Sequence, residues 1–230
     1  MSTLNPTRKI SRKQELREDK VVTVYARLLE ASEKYRTYFI GAGAAIVLLV
    51  LATIAWTFMQ SANQREALDA MAGAVNAYED GSYQTALDGT GNFLGLLDVV
   101  DEYGGTDAGN LARFYAADSY FRLGNYEEAL PLFREFDRDG NLLGASATAA
   151  EAAILESQGE YDRAASLYNR AATMYPSDAT SPGYFMSAGR AFEAAGETSD
   201  ARRAYERVRD DYPESQEARD IDFYLARVSG

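Results

Sequence analysis

One stretch of the chain is apolar at nearly every position. Phe39 to Met59 is twenty-one residues long and contains no charged side chain. A helix of that length rises about 30 Å, which matches the hydrocarbon core of a bilayer, whereas a helix in a soluble core is rarely apolar on every face. Tyr35, Tyr38 and Trp56 lie near its ends, where aromatic rings prefer the headgroup region. The pattern predicts one transmembrane helix over residues 39–59.

Two small residues, Gly41 and Ala45, lie near the start of this apolar stretch. Small residues four apart on a membrane helix let a second helix approach closely, so the pair is a candidate helix interface. The alternative is that small residues are simply common in membrane helices. A cleaved signal peptide is a weaker reading of the whole stretch, because about 38 residues precede it and Gln60 stands where cleavage needs a small residue.

Residues 1–38, before the apolar stretch, form a polar tail followed by an amphipathic segment. Residues 1–11 have nothing to bury, which predicts disorder. From Lys13 to Tyr38 there is no Gly or Pro, and apolar side chains such as Val21, Tyr25 and Leu28 recur at helical spacing between charges. We expect a basic amphipathic helix here, which either rests on anionic headgroups or docks onto a membrane partner.

Residues 60–230 contain a recurring phrase in which Gly precedes a small Ala by five positions. The four copies are Gly81-Ser-Tyr83-Gln-Thr-Ala86, Gly124-Asn-Tyr126-Glu-Glu-Ala129, Gly159-Glu-Tyr161-Asp-Arg-Ala164 and Gly196-Glu-Thr198-Ser-Asp-Ala201. Their glycines are 43, 35 and 37 residues apart. An aromatic residue follows the Ala at the fourth position in three copies, and Pro closes two of them: Phe133, Tyr168, Tyr205, Pro176 and Pro213.

Each phrase has the chemistry of a turn between two helices. Gly ends the first helix at a positive φ, the aromatic packs over the turn, and Ala lets the second helix approach the first. The phrases resemble the tetratricopeptide repeat over residues 67–213. The fold class predicted is all-α: a single N-terminal transmembrane helix followed by a tetratricopeptide-repeat α-solenoid. We expect about four repeats, an inserted loop over Asp101–Gly109 and a capping helix over Ser215–Val228.

Charge differs strongly between the two sides of the apolar stretch. Residues 1–38 hold nine basic and five acidic side chains, whereas the residues after it hold 14 Arg and 30 Asp plus Glu. The positive-inside rule predicts a cytoplasmic N-terminus and a repeat domain across the membrane, which in a bacterium is the periplasm. So acidic a domain argues against nucleic-acid binding. No Lys occurs after Lys34, so every basic residue of the repeat domain is Arg. A surface rich in carboxylates and poor in Lys is typical of proteins from salty habitats, but a GC-rich genome, which encodes Arg in place of Lys, is an equally good explanation.

The residue types present exclude several kinds of chemistry. The chain has no Cys and no His, so it has no disulfide, thiolate site or imidazole ligand. The glycine-rich run Gly89–Gly95 has one residue too many for a dinucleotide-binding motif, and the run from Asp137 to Gly140 lacks the terminal Glu of a calcium loop. We predict both to be turns. No catalytic, cofactor-binding or metal-ligating residue is assigned, and no cofactor is expected.

Stacked helix pairs curve so that the first helix of each pair lines a concave groove. With each turn Gly as the register mark, we predict groove-facing side chains at Met71, Val75, Tyr78, Phe114, Asp118, Phe121, Arg122, Met186, Arg190 and Glu193. Apolar anchors between single charges suit an extended peptide. The alternative is that several of these side chains pack as core. The predicted groove has no cluster of Lys and Asn, so it does not resemble a clamp for C-terminal carboxylates.

The order of parts, a basic helix, one membrane span and then Ala-rich repeats, is similar to the YfgM-like family of ancillary subunits of the SecYEG translocon. The charged lead Arg12–Lys20, the segment Val21–Arg36 and the span carry the likeness, and the repeats extend it. The resemblance implies a non-catalytic inner-membrane protein beside the translocon channel, with periplasmic chaperones or secreted chains as partners of the repeats. It does not predict whether the chain forms homo-oligomers.

Other functions remain open at this point. The segment Asp211-Tyr-Pro-Glu-Ser-Gln-Glu-Ala218 resembles the repeat endings of scaffold proteins for envelope assembly and cell division, although those are lipid-anchored or soluble. A membrane-bound hydrolase would need paired carboxylates, and no two acidic residues group beyond what an acidic surface shows. A cytoplasmic repeat domain would require the opposite topology, which the charge asymmetry disfavours.

Overall fold

The computed structural model describes residues 35–229. The predicted tail and nearly all of the predicted amphipathic helix lie outside the described residues. The chain divides into two compact units, Met1–Met59 and Gln60–Gly230.

Helix α1 has the bounds Arg36–Glu79, and its apolar part lies in the first unit. Every described side chain from Ile40 to Met59 is exposed. The hydroxyls of Thr53 and Thr57 donate to backbone carbonyls one turn earlier, at 2.8 and 2.9 Å, so neither needs a partner outside the helix. Among residues 35–229, this is the one helix whose length and composition suit a membrane crossing.

The second unit is built from consecutive helix pairs. After α1 come α2 (Tyr83–Asp88), β1 (Gly89–Thr90), β2 (Phe93–Leu94), α3 (Leu96–Tyr103), α4 (Asp107–Leu123), α5 (Tyr126–Glu135), α6 (Leu142–Ser157), α7 (Tyr161–Met174), α8 (Ser181–Ala195), α9 (Thr198–Asp211), a 3-10 turn (Glu217–Asp220) and α10 (Ile221–Arg227). The first helices of the four pairs are the end of α1, α4, α6 and α8. From α4 onward, each helix packs chiefly on its neighbours along the chain, which is the solenoid arrangement.

The four turn glycines have the left-handed conformation that the repeated phrase predicts. Gly81, Gly124, Gly159 and Gly196 have φ values of 76°, 82°, 80° and 82°. A side chain at these positions would be strained, because L-residues rarely adopt positive φ. The predicted helix–turn–helix unit is confirmed at all four places.

The second helices approach the first through small residues. Ala86, Ala129, Ala164 and Ala201 are fully buried. In the fourth pair the Tyr205 ring lies on the backbone of Gly189, where an added Cβ would stand 2.2 Å from a ring carbon. The alanines and the buried aromatics Phe133 and Tyr205 therefore form the core between helices.

The first pair departs from the repeat, since its second helix is broken. Helix α2 ends at Asp88, a two-residue antiparallel hairpin pairs β1 with β2, and α3 then resumes. Gly89 and Gly95 are in backbone contact, so a Cβ at either would fall within 2.4 Å of the other segment. Phe93 of the hairpin packs against Gly73. This insertion accounts for the 43-residue spacing between the first two turn glycines.

The predicted loop over Asp101–Gly109 is wrong for most of its length. Residues as far as Tyr103 complete α3, and α4 begins at Asp107. Thr106 forms the N-cap of α4, its hydroxyl accepting from the Gly109 amide at 3.0 Å. The capping helix predicted over Ser215–Val228 is also shorter than expected, being a 3-10 turn followed by α10. Ile221, Leu225 and Val228 close the core beside Tyr205.

Candidate functional site

Nine of the ten groove residues predicted from the sequence lie ten, six or three residues before the turn Gly, in the first helices of the first, second and fourth pairs. The tenth, Arg122, lies two residues before Gly124 and is exposed. The position ten residues before the turn Gly is core. Met71, Phe114 and Met186 are 3%, 9% and 6% exposed, because each packs against helices of its own and neighbouring pairs. These three side chains are therefore not part of an accessible surface in the free chain, and the alternative of core packing applies to them.

The other two positions stay accessible and carry most of the polar groups. Val75 and Asp118 are half-buried and Arg190 is exposed at the position six residues before the turn Gly. Tyr78, Phe121 and Glu193 are half-buried at the position three residues before it. The Phe121 ring packs against Tyr126, just after the turn at Gly124, with the ring centroids 5.4 Å apart.

Tyr78, Asp118 and Arg122 form a hydrogen-bonded cluster between the first and second pairs. The Tyr78 hydroxyl donates to Asp118 Oδ2 at 2.5 Å, and Arg122 Nε donates to the same oxygen at 2.5 Å. Burial, together with the hydrogen bond to Asp118 and its charge, raises the pKa of Tyr78 to about 12. The hydroxyl therefore remains a donor at neutral pH, and the carboxylate is held from both helices.

Two further tyrosines complete this cluster, and the sequence analysis did not assign them to it. Tyr83 lies against Tyr78 at 5.6 Å between ring centroids, and Tyr115 lies against it at 4.8 Å, both edge to face. The Arg122 guanidinium stands 5.5 Å from the centre of the Tyr83 ring and 5.8 Å from that of Tyr78. Tyr83 is the turn aromatic of the first phrase, which was the one available signal.

The fourth pair presents a different set of polar groups. Glu193 forms an ion pair with Arg227 of α10, in which Arg227 Nε donates to Glu193 Oε1 at 3.1 Å. The Arg227 guanidinium also lies 5.1 Å from the centre of the Tyr224 ring. In the third pair, the Tyr168 hydroxyl donates to Glu156 Oε2 at 2.9 Å. Each of these carboxylates is therefore held by a donor from the following helix or a later one.

An ion triad centred on the buried carboxylate of Glu151 joins the second and third pairs. The Glu151 side chain is 9% exposed and accepts from Arg134 Nε at 2.9 Å and from Arg138 Nη2 at 2.6 Å. Burial alone would raise the pKa of this carboxyl, but the hydrogen bonds from Arg138 and Arg134 outweigh it and lower the pKa. Arg138 also donates to the Phe133 carbonyl at 2.9 Å. The triad therefore stabilises the contact between the second and third helix pairs.

A cavity of about 380 Å³ lies where the turn between α3 and α4 meets the segment between α5 and α6. Its lining includes one basic residue, Arg113, and four acidic residues: Asp107, Glu135, Asp137 and Asp139. The Arg113 guanidinium stands 3.8 Å from Glu135. No group of three or more acidic residues within residues 35–229 is arranged to hold a metal ion.

The candidate membrane-helix interface lies in the first unit. Gly41 and Ala45 are exposed, and an added Cβ at Gly41 would meet no atom within 4 Å. Both positions are therefore open for contact with another helix, which leaves the interface as a prediction.

Comparisons with known proteins agree with the helix pairs. Two models of the tetratricopeptide repeat match the chain, one over residues 114–179 and one over residues 185–215. No curated protein and no solved structure matches it. The first pair, with its broken second helix, lies outside the matched residues. Proteins built from this repeat are generally non-catalytic scaffolds that bind other proteins across the surface of stacked helices. Residues 114–179 and 185–215 are thus tetratricopeptide repeats, a module for protein–protein interaction.

Proposed function

We propose that this chain is a non-catalytic accessory of the protein-secretion channel of a bacterial inner membrane, and that its repeats engage periplasmic chaperones or emerging chains. The observation that carries the proposal is a fully exposed apolar helix ahead of protein-binding repeats. An apolar surface of this length is unfavourable in water and is satisfied inside a bilayer. The repeats supply the binding surface, and the span keeps that surface at the membrane.

The charge distribution supports the direction of insertion. Nine basic side chains against five acidic ones precede the span, whereas 14 basic against 30 acidic ones follow it, so the positive-inside rule favours a cytoplasmic N-terminus. The acidic repeat domain then faces the periplasm, where secreted chains emerge. The resemblance to the YfgM-like family, which rests on this order of parts, points to the translocon as the neighbour of the span.

A second candidate is a scaffold for envelope-assembly or cell-division complexes. The segment from Asp211 to Ala218 favours it, because its Tyr-Pro ending is similar to the repeat endings of such scaffolds. In the structure, Tyr212, Pro213 and Ser215 line a cavity of about 230 Å³ that a partner side chain can enter. The two candidates differ in their membrane neighbour.

Site-specific photocrosslinking in intact membranes tests the proposal. A photoreactive residue at Gly41 probes the span, and one at Val75 probes the groove face of the repeats. The matched control for the span is Gly43, where an added side chain also meets no atom and which lies about 200° around the helix from Gly41. We expect adducts to channel subunits from Gly41 and fewer from Gly43. From Val75 we expect adducts to chaperones or secreted chains. Adducts to envelope-assembly proteins alone would support the scaffold instead.

Topology is testable independently, because the chain contains no Cys and any introduced Cys is unique. A Cys at Ser82 lies in an exposed turn of the repeat domain. We expect a membrane-impermeant maleimide to label it once the outer membrane is permeabilised, while a Cys at Ser2 stays unlabelled until the inner membrane is opened. The reverse order of labelling would place the repeats in the cytoplasm and overturn the proposal.

A further inference from the structure

The carboxylates at the accessible groove positions are already occupied within the chain. Asp118 accepts from Tyr78 and Arg122, Glu156 accepts from Tyr168, and Glu193 pairs with Arg227. These acidic groups therefore have donors of their own, and a partner would have to displace those donors to use them.

Arg190 is the contrasting group. Its side chain is exposed on α8, and its Nη2 donates to Ser187 Oγ at 3.1 Å. Within residues 35–229, no Asp or Glu oxygen lies within 4.0 Å of this guanidinium, although most arginines of the repeat domain have such a partner. A guanidinium offers five N–H donors in a planar fork that matches a carboxylate. Most of that capacity is open.

The surroundings of Arg190 add a second donor. The Tyr205 hydroxyl is buried close to Glu193, Arg227 and Arg190, yet it makes a well-formed hydrogen bond with none of the described residues. Burial and the Glu193 charge raise the pKa of Tyr205 to about 12, so its O–H keeps its proton at neutral pH. Among the described residues, the Tyr205 O–H thus has no acceptor and Arg190 has no carboxylate, a combination that favours an acceptor that carries negative charge.

The charge of the whole domain limits what can bring that acceptor. With 14 Arg against 30 acidic residues beyond the span, the domain repels a strongly acidic segment at long range. The attraction at Arg190 acts at short range and suits one carboxylate. The C-terminal carboxylate of a partner is a less suitable ligand. Its recognition requires several donors that bind both the carboxylate and the neighbouring backbone, whereas this site has one available guanidinium.

We propose that Arg190 receives a single acidic side chain from an extended segment of a partner protein that is otherwise uncharged or basic, with the Tyr205 hydroxyl and Ser187 beside it. The inference rests on the proposed function, because it names the chemistry of the partner that the repeats bind. Arg190 sets which part of the partner lies against the fourth pair.

Photocrosslinking from Ala194 tests this. Ala194 is exposed one helical turn after Arg190, on the same face of α8. In intact membranes, we expect the captured segments to carry one Asp or Glu within a few residues of the crosslink. Arg190→Gln should lower the adduct yield about fivefold, as loss of a bidentate pair at a partly exposed position would. Arg190→Glu should lower it further. Arg170→Gln is the matched control, since Arg170 is exposed on α7 and pairs with no Asp or Glu among residues 35–229, and it should leave the yield unchanged.

A charge exchange makes the test specific. Replacing the acidic residue of the captured segment by Lys should restore crosslinking to the Arg190→Glu chain and abolish it with the unmodified chain. Equal yields from Arg190→Gln, Arg190→Glu and Arg170→Gln, or captured segments without an acidic residue, would overturn the inference and leave the proposed function standing. Absence of any adduct from Ala194, Val75 and Gly41 would overturn both.

Discussion

In the first half of the repeat domain, polar and aromatic side chains join neighbouring helix pairs, whereas in the second half small residues do so. Between the first and second pairs, Asp118 holds Tyr78 and Arg122 in one network. Between the third and fourth pairs the core is rich in buried alanines, and within the fourth pair Tyr205 lies directly on Gly189. The same position of the repeat is engaged by two donors at Asp118, whereas at Arg190 no Asp or Glu of residues 35–229 forms an ion pair with the side chain. Positions that the packing does not require are available to a partner.

Gly189→Ala should destabilise the domain most, because the added methyl group would stand 2.2 Å from the Tyr205 ring. We expect the free energy of unfolding to fall by about 3 kcal/mol, the upper range for overpacking a core. Urea unfolding followed by circular dichroism measures it. Gly183→Ala in the same helix is the control, since its methyl group would meet Glu217 at an ordinary 3.6 Å. If both variants were equally stable, packing in the second half would not depend on close backbone approach.

Glu151→Gln weakens the ion triad between the second and third pairs and should cost about 2 kcal/mol, because two arginines lose their charged acceptor. The folded chain lowers the pKa of Glu151 below its usual 4.5, so the contribution is complete above that pH. It is lost as pH falls through the lower folded value. The difference in Tm between wild type and variant should therefore shrink under acid conditions. Glu135→Gln, an exposed residue with a looser 3.8 Å pair, is the control and should show a smaller difference at neutral pH.

Asp118→Asn removes the carboxylate charge that binds Arg122. It would leave an arginine of the first half without a carboxylate partner among residues 35–229, as Arg190 is in the second half. We expect a loss of about 1.5 kcal/mol, the lower end of the range for a hydrogen bond to a charged group, since Asp118 is half-buried. Arg122 would then be open, and crosslinking from the adjacent Leu123 to acidic segments should rise. Asp101→Asn removes the same charge from an exposed site on α3 and should change neither quantity. An unchanged adduct yield in Asp118→Asn would contradict the idea that pairing closes this position.

Tyr78→Phe should have the smallest effect, about 1 kcal/mol for one hydrogen bond. The folded pKa of Tyr78 is raised above its usual value of 10 to about 12, so its contribution is present below pH 10 and is lost as pH rises through 12. Absorbance titration of the tyrosines should show that the variant lacks one late-ionising group. Tyr161→Phe removes an exposed turn tyrosine and should leave that late step in place.

Most of the fold was predictable, because the repeated phrase fixes local geometry. Gly124, Ala129 and Phe133 each meet a requirement that lies within a few residues of the turn. The hairpin at Gly89–Gly95 was not predicted, since strands of two residues leave no alternating pattern in the sequence. Its glycines are needed for a backbone contact across six residues, which composition alone does not show.

The candidate site was less predictable, because a groove and a core both accept apolar side chains. Met71 and Met186 occur at regular spacing, yet the burial of each side chain depends on how closely the neighbouring helix pair packs against it. Pairings distant in sequence were likewise hidden. Glu193 meets Arg227 across 34 residues, and Glu151 meets Arg134 across 17. Arg190 was among the predicted groove residues. That it has no carboxylate partner among residues 35–229 could be seen only from the positions of the acidic side chains in the structure.

The pairing of each helix with its chain neighbours has a consequence for the order of events in time. A contact map made of neighbouring pairs has low sequence separation, and such chains fold fast and in small increments. A segment of 35–43 residues, the spacing of the turn glycines, completes one increment. The domain can therefore acquire structure pair by pair as it leaves a ribosome or a membrane pore, with each finished pair serving as the template for the next.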